Sequence, residues 1–130
     1  MKNKQPVKTA VLVVEDTPAN MTLATLILEK AGYAVLQACN AMDGIALAHS
    51  GAPSLILMDI QLPGMNGLDA TRTLKGDSAT RAIPVIAMTA FAMKGDKEKM
   101  LAAGCDDYIS KPIRYKEFLK KVAEVLGTPQ

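Results

Sequence analysis

Apolar residues in this chain come in short, dense runs separated by polar breaks, and the period of the pattern switches repeatedly. Ala10 to Val14 (AVLVV), Ser54 to Met58 (SLILM) and Pro84 to Met88 (PVIAM) carry almost no polar alternation. Such runs fit strands buried on both faces, as in a parallel sheet. Tyr33 to Ala38 and Asp107 to Ser110 predict two further strands. Between them lie segments of helical period. The first runs from about Pro18 to Ala31, with Thr17 offered as N-cap, Pro18 at the first helical position and Leu23, Leu26, Ile27 and Lys30 at helical spacing. Asn40 is positioned to cap a second helix through about Ser50, with Gly51 as its stop. A Pro/Gly loop from Leu62 to Gly67 leads to a third, marked by Leu68, Thr71 and Leu74 and ended at Gly76. Lys94 to Ala103, with Gly104 as stop, predicts a fourth. Tyr115 to Leu126 predicts the last, with Phe118, Val122, Val125 and Leu126 on one face and Gly127 as its end. Five strand–helix units imply right-handed crossovers and a doubly wound α/β fold, a parallel sheet covered on both faces.

Composition narrows this reading without changing it. The chain has 130 residues, room for one ordinary domain. Aromatic residues are 4% of it, so the core must be built from Val, Ile, Leu, Met and Ala. A net charge of +2, with no dense Lys/Arg run, argues against nucleic acid as a partner. No apolar run approaches the ~18 residues of a membrane span, and Met1 to Lys8 has no signal-peptide apolar region, so no membrane association and a cytoplasmic location are expected. Residues 1–8 and 128–130 are expected to be flexible termini around a domain spanning 9–127. Cys39 and Cys105 are not at metal-ligand spacing and are expected to be free thiols acting as small apolar residues. His49, the single histidine, is expected at the surface near a helix C-terminus. Lys116, Glu117, Lys120, Lys121 and Glu124 are expected on the wet face of the last helix, where they could equally meet a partner.

In open parallel sheets, sites form outside the carboxyl ends of the strands. After the first strand come Glu15 and Asp16, after the third Asp59, after the fourth Thr89, and after the fifth Ser110, Lys111 and Pro112. Three carboxylates would repel: a like-charged pair at ~4 Å costs about 4 kcal/mol at an effective dielectric of 20. One lysine leaves the cluster negative, and a hard divalent cation such as Mg²⁺ would neutralise it. A nucleophilic carboxylate beside such a cation suits phosphoryl transfer, which depends on positioning and charge neutralisation. Each residue alone also has an ordinary reading. Asp59 could be a turn former, Glu15 a solvated neighbour, Thr89 a capping hydroxyl and Tyr108 a half-buried strand aromatic. Their joint placement argues for chemistry.

These residues carry a resemblance. VLVVED (Val11 to Asp16), LILMDIQLPGMNG (Leu55 to Gly67), VIAMTAFA (Val85 to Ala92) and YISKPI (Tyr108 to Ile113), in this order and spacing, resemble the receiver domains of bacterial two-component response regulators. MTAFAMKGD and GCDDYISKPI are similar to the DivK type of single-domain receiver. The resemblance implies a CheY-like, flavodoxin-like fold with strand order 2-1-3-4-5. It implies Asp59 as phosphoacceptor, and Mg²⁺ (or Mn²⁺) held by Asp16, Asp59, Glu15 directly or through water, and the backbone carbonyl of Gln61. It implies Thr89 as switch hydroxyl, Lys111 as phosphate partner, Tyr108 as aromatic rotamer switch, and a cis Lys111–Pro112 bond. Thr17 stands where many members have Asn or Asp. Gln61 and Phe91 occupy positions that tune phosphoryl lifetime.

The implied function is a phosphorylation-dependent interaction switch. A sensor histidine kinase or histidine phosphotransfer protein would supply the phosphoryl group. A downstream protein would read the face formed by the fourth helix, fifth strand and last helix. The protein would accept and slowly lose a phosphoryl group, without turnover as an enzyme. A hydrolase of the aspartyl-phosphate type needs a general acid two residues after the nucleophile, where Gln61 stands. A nucleotide-binding fold lacks its GxxxxGK[ST] loop. An initial Met and an end just past the last helix favour a stand-alone protein over a receiver excised from a hybrid kinase.

Overall fold

The structure, a computed structural model, describes residues 8–90 and 95–127. Ten elements alternate: β1 (Ala10–Val14), α1 (Pro18–Lys30), β2 (Ala34–Ala38), α2 (Ala41–Gly51), β3 (Leu55–Asp59), α3 (Gly67–Lys75), β4 (Val85–Thr89), α4 (Asp96–Ala103), β5 (Asp107–Ser110) and α5 (Tyr115–Leu126). The strands form one parallel sheet in the order β2-β1-β3-β4-β5, as the resemblance implies. The central strands are apolar on both faces because helices cover both. One core layer joins Leu12, Val14, Ile56 and Met58 to Ala48, Leu74 and Met100 of α2, α3 and α4. The other joins Val11, Val13, Leu55 and Leu57 to Ala24, Leu28, Phe118 and Val122 of α1 and α5.

Several local expectations are corrected. The buried residues of α1 are Met21, Ala24, Ile27 and Leu28, while Leu23 and Leu26 are exposed, Leu26 by 60%. The helix carries an apolar surplus, and packing against the sheet chose a stripe rotated from the one the spacing suggested. Thr17 makes no side-chain cap; instead its N–H donates to Glu15 Oε2 at 3.1 Å. Asn40 does cap α2 by accepting from the Asp43 N–H, but Gly51 is the last helical residue and Ala52 follows in the left-handed region at φ 43°. A Cβ at Gly51 would lie 2.6 Å from Leu36 Cδ1, a side-chain tip that would have to shift. Asp59 and Thr89 are the final residues of their strands. Both cysteines are free, but only Cys105 is buried; Cys39 is exposed. His49 is at the surface as expected, and its Nε2 lies 3.1 Å from Asp77 Oδ2, a partner from the segment after α3 that local sequence does not suggest. Phe91, the predicted start of the fourth helix at Lys94 and nearly all of the expected flexible termini lie outside the described residues.

Candidate functional site

Strand register brings the site together. In the β1–β3 ladder Val14 aligns with Met58, so Glu15 and Asp59 come next to each other at the carboxyl edge. Asp59 aligns with Met88 across β4, and Thr89 with Ser110 across β5. The Lys111 N–H donates to the Thr89 carbonyl at 2.7 Å, and the Lys111–Pro112 bond is cis. That anchored backbone directs the Lys111 side chain back over the edge. Its Nζ lies 2.9 Å from Glu15 Oε1 and 3.2 Å from Asp59 Oδ2. Glu15 and Asp59 are almost fully buried, at 1% and 2%, whereas Asp16 is exposed. The other Asp59 oxygen accepts from the Gln61 N–H at 2.9 Å, and the Gln61 Oε1 accepts from the Ala90 N–H at 3.3 Å. One glutamine thus ties the end of β3 to the residue after Thr89.

Burial pushes the Glu15 carboxyl above its ordinary 4.5, against the pull of Lys111 and the Thr17 N–H; neighbouring Asp59 adds to the rise. Burial also works against the Lys111 charge, but Glu15 and Asp59 outweigh it and lift the ammonium above 10.5. The signs of the two stability contributions follow. Ionising Glu15 favours the unfolded chain, so its contribution is best below pH 4.5 and is lost as pH climbs through the raised value. Lys111 contributes below pH 10.5 and loses this as pH passes its raised value. Lys111→Met removes the strongest influence holding the Glu15 pKa down. The variant is expected to lose about 2 kcal/mol relative to wild type at pH 7.5. The deficit should shrink towards pH 4.5. Urea unfolding at the two pH values checks this, and an equal deficit at both overturns it.

Glu15, Asp16 and Asp59 each offer an oxygen, and the three lie within 4.8 Å of one another. Glu15 Oε1 is buried, and despite its ion pair with Lys111 it has no aligned hydrogen-bond partner. Crowded carboxylate oxygens with an unused lone pair fit a small, hard divalent cation.

Sequence reasoning reached Glu15, Asp16, Asp59, Thr89 and Lys111, and the structure brings them to one edge. Tyr108 lies on β5, partly buried against the layer of α2, α3 and α4. The Gln61 side-chain contact was missed, because no local pattern marks a contact 29 residues apart.

The site is thus an acidic, lysine-bridged carboxyl edge on a 2-1-3-4-5 parallel sheet. The chain belongs to the response regulator receiver domain family, whose model matches residues 11–123. It is 47% identical over 118 residues to the polar-differentiation response regulator DivK of Brucella anthropi, covering 91% of this chain and 96% of that one. A receiver domain of a sensor histidine kinase from Pseudomonas aeruginosa PAO1, solved with a magnesium ion coordinated in its active site cleft, has a TM-score of 0.86 at 34% identity. That match covers 94% of this chain and all of the other (100%). A CheY-like receiver domain protein from Methanospirillum hungatei JF-1 also has a TM-score of 0.86, at 30% identity, over 93% of this chain and 95% of the other. Among the described residues, no helix is long and apolar enough to cross a membrane.

Proposed function

We propose that this receiver stores a phosphoryl group on Asp59 and passes the information on as a change of surface. The observation that carries the reading is the Lys111 ammonium held against two buried carboxylates, Glu15 and Asp59, at the carboxyl edge of the sheet. An Asp59 carboxylate oxygen attacks phosphorus of a phosphohistidine. The P–N bond breaks, and the imidazole leaves with its electron pair and takes up a proton. Lys111, already within reach of Asp59, moves with the new oxygens and offsets their charge. Mg²⁺ (or Mn²⁺), when bound, supplies further neutralisation of the phosphoryl oxygens; Glu15, Asp16, Asp59 and the Gln61 carbonyl would hold it. An aspartyl phosphate adds roughly −1.5 to −2 charges, sufficient to draw the Thr89 hydroxyl inwards. Tyr108 follows, biasing an existing equilibrium between two conformations.

The donor is a sensor histidine kinase or a histidine phosphotransfer protein. The reader is a downstream protein that meets the face of α4, β5 and α5, in the cytoplasm and without nucleic acid or membrane. Gln61 stands where a hydrolase would need a proton donor, and its side-chain oxygen already accepts the Ala90 N–H, which favours storage over turnover. Incubation with acetyl phosphate and Mg²⁺ is expected to attach one phosphoryl group that hydroxylamine removes, as an acyl phosphate requires. Steady release of inorganic phosphate without a labelled protein would instead mark a hydrolase.

A further inference from the structure

Lys121 joins α5 to the edge strand in a way that bears on Tyr108. β5 is the last strand of the sheet, with one edge unpaired by other strands. Alternate residues of a strand point to opposite faces. Ile109 accordingly packs with Phe118 and Val122, while Tyr108 packs against the opposite core layer. Lys121 belongs to α5, on the Ile109 side. Its ammonium nevertheless pairs with Asp107 Oδ1 at 2.9 Å and lies 5.7 Å from the centroid of the Tyr108 ring. The same Asp107 oxygen accepts the Tyr108 N–H at 2.8 Å. One carboxylate thus anchors the cation and the aromatic residue beneath it. The cation reaches round the sheet edge to hold a ring that belongs to the other face. Tyr108 and Lys121 also line one open groove of about 410 Å³ along α5, so moving the ring reshapes its wall.

We propose that Lys121 is a positioning residue for the switch: anchored by Asp107, it latches the Tyr108 ring in the position it holds here, and this latch sets the threshold that phosphorylation must overcome. The inference rests on the reading of Tyr108 as the switch residue. A cation over an aromatic face at a partly exposed site biases a two-state ring by about two- to five-fold. The latch requires charge, which separates it from packing: Lys121→Met keeps the aliphatic stem and removes the cation, while Lys121→Arg keeps a cation able to stack on the ring.

The test uses the full chain labelled with fluorotyrosine, with the Tyr108 signal assigned from Tyr108→Phe and read by fluorine NMR. Beryllofluoride with Mg²⁺ defines the activated position in wild type. Without beryllofluoride, Lys121→Met is expected to shift the Tyr108 population about two- to five-fold towards that position. Asp107→Asn, which weakens the anchor, should shift it the same way, and Lys121→Arg should restore the wild-type signal. A Tyr108 that responds to beryllofluoride but is unmoved by Lys121→Met overturns the latch alone. A Tyr108 unmoved by beryllofluoride in wild type overturns the switch reading, and the latch with it.

Discussion

Asp59→Asn is expected to incorporate no phosphoryl group from acetyl phosphate or a phosphohistidine donor, and yet to melt above wild type in the presence of a chelator. The first effect follows from chemistry: a carboxamide oxygen is a poor nucleophile and cannot form the acyl phosphate. The second follows from the electrostatics of the edge. Asp59 and Glu15 are both buried and share one ammonium, with Asp16 close by. Removing one negative charge relieves repulsion that Lys111 alone does not cancel, and Lys111 keeps its contact with Glu15. The lost Asp59–Lys111 pair offsets part of the relief, leaving a gain of about 1 kcal/mol, or about 4 °C in Tm. The Glu15 pKa should also fall back towards its ordinary value, because Asp59 is one of the groups raising it. Mass spectrometry after labelling and a thermal melt in chelator check both parts. Labelling of the variant at the wild-type level sinks the phosphoacceptor assignment; a lower Tm sinks the repulsion argument.

Gly67→Ala is expected to be among the most damaging single substitutions near the site. Gly67 is the first residue of α3, and its N–H donates to the Ile60 carbonyl at 3.3 Å. A Cβ there would collide with the Asp59 carbonyl oxygen and lie 2.6 Å from Ile60 Cα and 2.9 Å from the Asp59 carbonyl carbon. All three are backbone atoms at the end of β3, which cannot swing aside as a side-chain tip can. The cost should exceed about 3 kcal/mol, beyond the usual range for overpacking. Whatever relaxation the chain finds must displace Asp59, so labelling should slow as well. Gly64→Ala is the comparison: its φ of +75° disfavours a side chain, but a Cβ meets nothing within 4 Å, so about 1 kcal/mol is expected. Urea unfolding of both variants decides the matter. A Gly67→Ala protein within 1 kcal/mol of wild type would falsify the steric account.

The positions of the strands and the polar residues at their carboxyl ends were legible in the sequence for a common reason. A strand buried on both faces must be apolar throughout, so the polar residue that ends it stands out. Asp59 after LILM and Thr89 after VIAM are visible for this reason. The parallel α/β arrangement then requires those ends to share one edge. Helix faces were less legible. In α1 the apolar residues exceed what one stripe needs: of Leu23, Leu26 and Ile27 at helical spacing, only Ile27 joins Met21, Ala24 and Leu28 in the core. Glycines misled in the same way. Gly51 reads as a stop, but it is the last residue of α2, and Ala52 takes the left-handed position after it.

By itself, then, the sequence determined the alternation of elements, the sheet they had to form, and the carboxylates, hydroxyl and lysine at its carboxyl edge. These depend on local burial and on chain order, both written in the pattern of residues. Only the tertiary structure decided which atoms meet there. Strand register set Glu15 beside Asp59 under one lysine, left Asp16 exposed, and placed Gln61 against Ala90. Packing of α5 on the edge strand carried the Lys121 charge round to Tyr108. Contacts of this kind join residues far apart in the chain through distances of a few ångströms, and no periodicity within either segment encodes them.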